Sequence, residues 1–337
     1  MSNQINKVNW DVVNALGKQF AFCARPGFYG PCDPSRSIVA LPDVDIQPKW
    51  DIPEKIAIST AICGAFNTKS TNPNHPITPD EIYQSAREAC LAGSPIVHIH
   101  VRNEEGFNIL DPVLFHRVID PLREEFPDVI FDGCLVPDTE ELWEKMVVML
   151  KDRLLDVTPI NTTATYLGDM ILSKPPHVLI EKTRLCQEYG VKPQIAVYTD
   201  ADIDNADRFL IKTDLLEKPY HFLILPALPG CSTMNNPVAM TESLLNLYNR
   251  IMDVDPGAVV MVAAAGRASS YLANLAMLLG LSVRVGMEDT VWKWPHKNDR
   301  IENNAEQFKT YKTLAEILGR EVCTPGEYRK MIGLPLK

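Results

Sequence analysis

The chain has 337 residues, 46% hydrophobic and 23% charged, with a net charge of −10 at neutral pH. That length gives one large domain or two ordinary ones, and the composition is that of a soluble globular protein. An acidic balance without any basic block argues against nucleic acid or an anionic membrane as partner.

The opening "MSNQINKVNWDVVNALG" lacks the apolar core of a signal peptide, and no run approaches the ~18 apolar residues of a membrane helix. The eight cysteines are scattered, with no CxxC spacing, so neither a disulfide scaffold nor a structural zinc site is expected. Reduced thiols in a cytoplasmic enzyme are the expectation. Residues 1–52 read as an N-terminal extension, rich in Pro, Gly and Ser, with one short helix near residues 9–17. Its Trp10, Phe20, Phe22, Phe28, Tyr29 and Trp50 are predicted to pack on the domain or on a neighbouring subunit.

From residue 53 to 337 the chain reads as one catalytic domain in which β-like runs and helical patterns alternate. The runs are "KIAISTAI", "PIVHIHV", "DVIFDG", "LLDVTPI", "QIAVYT", "HFLILPA", "AVVMVAA" and "LSVRVGM". A helical pattern follows each of them. Thr78 and Asp138 look like N-caps, and Gly93 and Gly190 like helix stops. Eight such units point to an α/β fold, a (β/α)8 TIM barrel, with a doubly wound open sheet as competitor. A barrel carries its active site at the C-terminal ends of its strands.

In the second run, His98, His100 and Arg102 alternate with Val97, Ile99 and Val101. Period two turns the histidines into the barrel and the valines and isoleucine towards the helices. Two imidazoles on one strand suit zinc; a pair of buried, hydrogen-bonded histidines is the alternative. After the eighth run, "VRVGMEDT" carries adjacent carboxylates, Glu288 and Asp289, behind Arg284. Strand 8 closes the barrel beside strand 1, so one carboxylate can join the histidines while the other stays free as a base. A solvated acidic turn and a structural ion pair are the plainer readings.

These stretches, with "CGAFNTK", "NPNHPITPDEI", "AGSPIVHIHVRNEEG" and the ending "LGREVCTPGEYRKMIGL", resemble the β-keto acid cleavage enzymes, typified by the 3-keto-5-aminohexanoate cleavage enzyme. The resemblance implies a zinc-dependent (β/α)8 barrel in which acetyl-CoA and a β-keto acid give acetoacetate and the CoA ester of the remainder. It implies zinc ligands His98, His100 and Glu288, a base at Asp289 supported by Arg284, and a catalytic threonine best matched by Thr158. It also implies a homo-oligomer, a tetramer.

The departures concern the substrate. Where the lysine-pathway enzyme carries a glutamate for its substrate's ammonium, this chain has Phe66, which implies a substrate neutral or apolar at that end. A quaternary ammonium is the weaker option. The resemblance places Cys134, a catalytic candidate, where the family's Ser-Thr-Gly-Gly turn has a serine implicated in catalysis, with Leu135 and Val136 after it, and puts Gln194 and Ala196 in place of the glutamates of its Pro-Glu-x-Glu. Arg102 is a candidate substrate contact. Gly266 and Arg267, in "AAAGRASS", are candidates for CoA phosphate at a helix start. Two competing readings are a metal-dependent hydrolase of the amidohydrolase kind and a non-catalytic zinc-stabilised binding module. The first wants histidines at the ends of strands 5 and 6, where this chain has none.

Overall fold

The computed structural model describes residues 8–19 and 49–337. The chain divides into two units, Met1–Ile52 and Pro53–Lys337. In the first, helix α1 (Trp10–Gln19) begins where the Asn9 side chain accepts from the Val12 amide, near the expected position. Trp10 and Trp50 are exposed in the single chain. Phe20, Phe22, Phe28 and Tyr29 lie outside the described residues.

The second unit is a closed parallel barrel. Its strands are β1 (Ile58–Ala61), β2 (Ile96–His98), β3 (Ile130–Asp132), β4 (Val157–Asn161), β5 (Lys192–Val197), β6 (His221–Ile224), β7 (Val259–Val262) and β8 (Ser282–Val285). Each pairs with its sequence neighbour, and β8 closes on β1 through Val283↔Ile58 and Val285↔Thr60. Six of the eight lie within the runs read from sequence, while β4 runs on to Asn161 and β5 begins earlier at Lys192, and the open-sheet alternative falls. Val97, Phe131, Ile160, Ile195, Phe222 and Val283 pack outwards against the helices. Ile96, Ile130, Val157, Ala196, Leu223 and Met261 fill the interior. This is the two-residue alternation that makes a barrel a packed core rather than a pore.

Helices α2 (Pro79–Leu91), α3 (Pro112–Glu125), α4 (Glu140–Lys151), α5 (Pro176–Glu188), α6 (Asp200–Ala206), α7 (Pro237–Val254), α8 (Ala268–Leu278) and α9 (Asn304–Ile317) follow the strands in turn. Thr78 caps α2 in a reciprocal box with Glu81. The cap of α4 is Thr139, not Asp138: the Thr139 hydroxyl accepts from the Leu142 amide at 3.2 Å. Gly93 and Gly190 stand just beyond α2 and α5 with φ of 99° and 72°. Among the elements that escaped the sequence reading is a hairpin after β4 that pairs Ala164–Leu167 with Met170–Ser173.

The last helix, α10 (Pro325–Ile332), seals the end of the barrel where the strands begin. Its Tyr328 hydroxyl meets His221 Nε2 at 2.8 Å, at the first residue of β6. Its Arg329 meets the buried Asp156, just before β4, at 2.8 Å. Burial works against the Asp156 carboxylate, but Arg123, Arg329 and Lys337 outweigh it and hold its pKa below the ordinary value. The ion pair therefore stabilises the fold above the unfolded-state pKa of about 4 and is lost as pH falls through the depressed folded value. Replacing Arg329 by Met, which strands a buried charge, should cost about 3 kcal/mol in urea unfolding at pH 7. A loss under about 1 kcal/mol would mean that Arg123 and Lys337 suffice to hold Asp156.

Candidate active site

The C-terminal ends of β2, β3 and β8 meet at a buried cluster. His98 closes β2 and His100 follows one turn of the pleat later, with Nε2 atoms 3.2 Å apart. The far nitrogen of each ring is occupied. His98 Nδ1 lies 2.8 Å from Asp132 Oδ2, at the end of β3. His100 Nδ1 lies 2.7 Å from Asn108 Oδ1, on the short hairpin that pairs Val101–Arg102 with Asn108–Ile109. Those acceptors leave both Nε2 atoms aimed at one point, the orienting contact that metal-binding imidazoles require.

Glu288 arrives from beyond β8. Its Oε1 lies 3.3 Å from His98 Nε2, 3.5 Å from His100 Nε2 and 3.3 Å from Arg284 Nη2. Its Oε2 is buried without a hydrogen-bond partner. Zinc held tetrahedrally at ordinary ligand distances separates neighbouring N and O ligands by about 3.3–3.4 Å. The three spacings observed, 3.2, 3.3 and 3.5 Å, fit that demand. Electrostatics agree. Burial opposes charge on either ring, yet Glu288 pulls both pKa values well above the usual histidine range, with Asp132 adding to the pull on His98. A point that draws positive charge so strongly suits a divalent cation.

Two glycines make this approach possible. A methyl group on Gly64, in the turn after β1, would stand 2.3 Å from Glu288 Cγ. Gly64 also has φ of 56°, in the left-handed region. At Gly286 a methyl would meet the Ala61 carbonyl oxygen at 2.2 Å, where β8 passes closest to β1. Asn67 ties the two segments together by donating to the carbonyls of Met287 (3.0 Å) and Glu288 (3.2 Å).

Asp289 is held by both arms of Arg284, Nε reaching its Oδ2 at 3.2 Å. Burial raises its pKa to about 6, with Glu288 adding and Arg284 opposing. Cys134, one strand away, has its sulfur 3.6 Å from His98 Nε2. Burial favours its neutral thiol, but the two imidazoles outweigh that and lower it to about 6. Sequence reasoning therefore brought together His98, His100, Cys134, Arg284, Glu288 and Asp289.

Four other residues are differently employed. Arg102 is fully buried and donates to the carbonyls of Cys63 (2.9 Å), Gly64 (2.7 and 3.1 Å) and Gly106 (3.2 Å). It clamps the β1 and β2 loops, where the sequence suggested a substrate contact. Thr158 lies on the outward side of β4, where its hydroxyl donates to the Gly133 carbonyl at 2.9 Å and accepts from the Leu135 amide at 3.3 Å. The inward residue there is Asn161, which donates to the Tyr198 hydroxyl at 2.9 Å. The Gly266 amide is spent on the Asp289 carbonyl at 2.8 Å. Arg267 lies 4.2 Å over the Trp292 ring and donates to the Asn298 side chain at 2.6 Å, so it braces the loop after β8.

Sequence reasoning missed Asp132, Asn108, Asn161 and Tyr198. For Asp132 a signal existed: it ends the third apolar run with an acid, as Glu288 and Asp289 follow the eighth. His221 sits on the barrel floor, 3.0 Å from Gln194 Nε2. That position does not serve the hydrolase reading.

The beta-keto acid cleavage enzyme family model matches residues 55–334. The 3-keto-5-aminohexanoate cleavage enzyme of Fusobacterium nucleatum is 33% identical over 285 residues, covering 83% of this chain and 98% of its own. The 3-oxoadipate:acetyl-CoA acetyltransferase of Cupriavidus necator is 26% identical, covering 82% and 94%. The apo structure of ObcA superposes with a TM-score of 0.67 at 18% identity, over 78% of this chain and 66% of that one, a likeness of fold.

Removing the His100 acceptor in Asn108→Ala should weaken divalent-metal affinity about 10–100-fold in a chelator competition, with little loss of fold. Gly64→Ala, which displaces Glu288, should weaken it more. Unchanged affinity in both would show that neither the ring orientation nor Glu288 governs metal binding.

Proposed function

The chain belongs to the β-keto acid cleavage enzyme family, and we propose that it converts a β-keto acid and acetyl-CoA into acetoacetate and the acyl-CoA of the remainder. The observation that carries this reading is the convergence of His98, His100 and Glu288 beside an Arg284-bound Asp289. The relative from Cupriavidus necator is named for a transfer that uses acetyl-CoA.

In this reading His98, His100 and Glu288 hold a zinc ion, which when bound supplies Lewis-acid polarisation of the keto acid's oxygens. Asp289 removes a proton from the carbon between the keto and carboxylate groups. A carboxylate with a pKa near 6 is largely ionised at neutral pH and still basic enough to take that proton. Arg284 fixes the orientation of Asp289 and offsets the negative charge that develops. The enolate carbon then attacks the acetyl carbonyl of acetyl-CoA and CoA thiolate leaves. The thiolate next attacks the ketone of the original acid, the carbon–carbon bond breaks, and acetoacetate departs as its enolate. The proton held by Asp289 returns to that carbon, so no redox partner is required.

Phe66 supports a substrate that is neutral or apolar at its far end. The residue is 55% exposed rather than folded into the core, on the turn whose Gly64 packs under Glu288. A phenyl ring there forms no ion pair with an ammonium. The reading includes a tetramer, which size-exclusion chromatography with light scattering checks.

Acetoacetate release should be measured from acetyl-CoA with β-keto acids that are cationic, anionic or neutral beyond the shared carboxylate. The neutral or apolar members should turn over fastest, and Phe66→Glu should move preference towards a primary ammonium. Asp289→Asn should lower kcat about 10²-fold or more with KM little changed. Fastest turnover with the primary-ammonium acid would sink the role given to Phe66. No turnover with any member at full metal occupancy would sink the reaction itself.

A further inference from the structure

Cys134 stands at the end of β3, at the start of the turn Cys134–Pro137. That turn is held firmly from below. Lys182, buried on α5, donates to the carbonyls of Leu135 and Pro159, the latter at 2.7 Å. Lys174, just before α5, donates to the Pro137 carbonyl at 2.7 Å. Thr158 adds its bond to the Leu135 amide. Leu135 is fully buried in the outer core. Three hydrogen bonds and the burial of Leu135 thus hold the backbone that follows Cys134 and present its thiol to the histidine pair.

The delivery has metal-site dimensions. Among the described residues, the ligand atoms of His98, His100 and Cys134 all lie within 4.8 Å of one another. The sulfur is 3.6 Å from His98 Nε2. Around a tetrahedral ion with ordinary Zn–S and Zn–N lengths, neighbouring sulfur and nitrogen ligands stand about 3.5–3.6 Å apart. The thiol approaches His98 through Nε2, the nitrogen that faces the common point, not through the Nδ1 that Asp132 occupies.

We propose that the Cys134 thiolate is a fourth protein ligand of the metal when no substrate is bound, making the set two histidines, one glutamate and one cysteine. The inference rests on reading His98, His100 and Glu288 as a metal site. Binding requires the thiol to release its proton to solvent as the metal enters. A fourth protein donor would take a position that a substrate could otherwise use, so an incoming keto acid would have to displace the sulfur or add to the set. A soft thiolate also biases the site towards zinc and cobalt over magnesium and manganese.

Cobalt(II) loaded into the full-length protein tests this by absorption spectroscopy, independently of turnover. The visible d–d bands report whether the site takes metal at all. A thiolate-to-cobalt charge-transfer band in the near ultraviolet reports sulfur ligation. Wild type should show both, and Cys134→Ser should keep the d–d bands and lose the charge-transfer band. Cys63 is the neighbouring thiol to control for, since its Sγ donates to the His100 carbonyl at 3.2 Å. Cys63→Ala should keep both features. Saturable d–d bands without charge transfer in wild type would overturn the cysteine ligand and leave the metal site standing. A charge-transfer band that survives Cys134→Ser and vanishes in Cys63→Ala would assign the sulfur elsewhere and also overturn it. Failure of wild type to take up cobalt would remove the metal reading and this inference together.

Discussion

The barrel mouth is organised around one buried carboxylate. Glu288 Oε1 faces His98, His100 and Arg284 at 3.3–3.5 Å, in a place nearly closed to water. A carboxylate so buried is costly unless positive charge or donors surround it. The cluster supplies them from two strands that meet only because the barrel closes. The same demand explains Gly64 and Gly286, since a side chain at either would hold β1 and the end of β8 too far apart for Glu288 to reach.

Around that centre, the rim is built by cations spent on main-chain carbonyls. Arg102 gathers the loops after β1 and β2, and Lys174 and Lys182 hold the turn after β3. Arg267 braces the loop after β8. Buried loop carbonyls need donors, and a long cationic side chain reaches several at once. Burial lowers Lys182 to about 8, a sign of how dry its position between Leu135 and Pro159 is. The consequence is that the loops carrying the candidate site residues are tied to one another by buried donors.

The opposite end of the barrel does different work. His221, Gln194 and Tyr328 share hydrogen bonds on the floor, and burial lowers His221 to about 3, so it stays neutral. Arg329 and Asp156 join the last helix to β4. The packed interior separates this network from the polar cluster at the mouth.

The sequence by itself determined the eight strand–helix units, the two inward histidines, the acidic pair after β8 and the helix boundaries at Thr78, Gly93 and Gly190. These follow from period-two alternation, cap chemistry and short motifs, all local properties of the chain. Phe66 and Cys134 were visible as departures for the same reason. Tertiary structure alone decided what the polar side chains of the mouth bond to. Arg102 looked available for a substrate because it continues the His-x-His alternation, yet carbonyls 38 and 39 residues away consume its donors. Thr158 sits beside Pro159 and Asn161 in sequence, and only the register of β4 shows which of them faces inwards. Asp132 and Asn108 gained their roles from histidines 34 and 8 residues away. A hydrogen bond depends on where two side chains end up in space, and for groups on different strands that position is set by closure of the barrel.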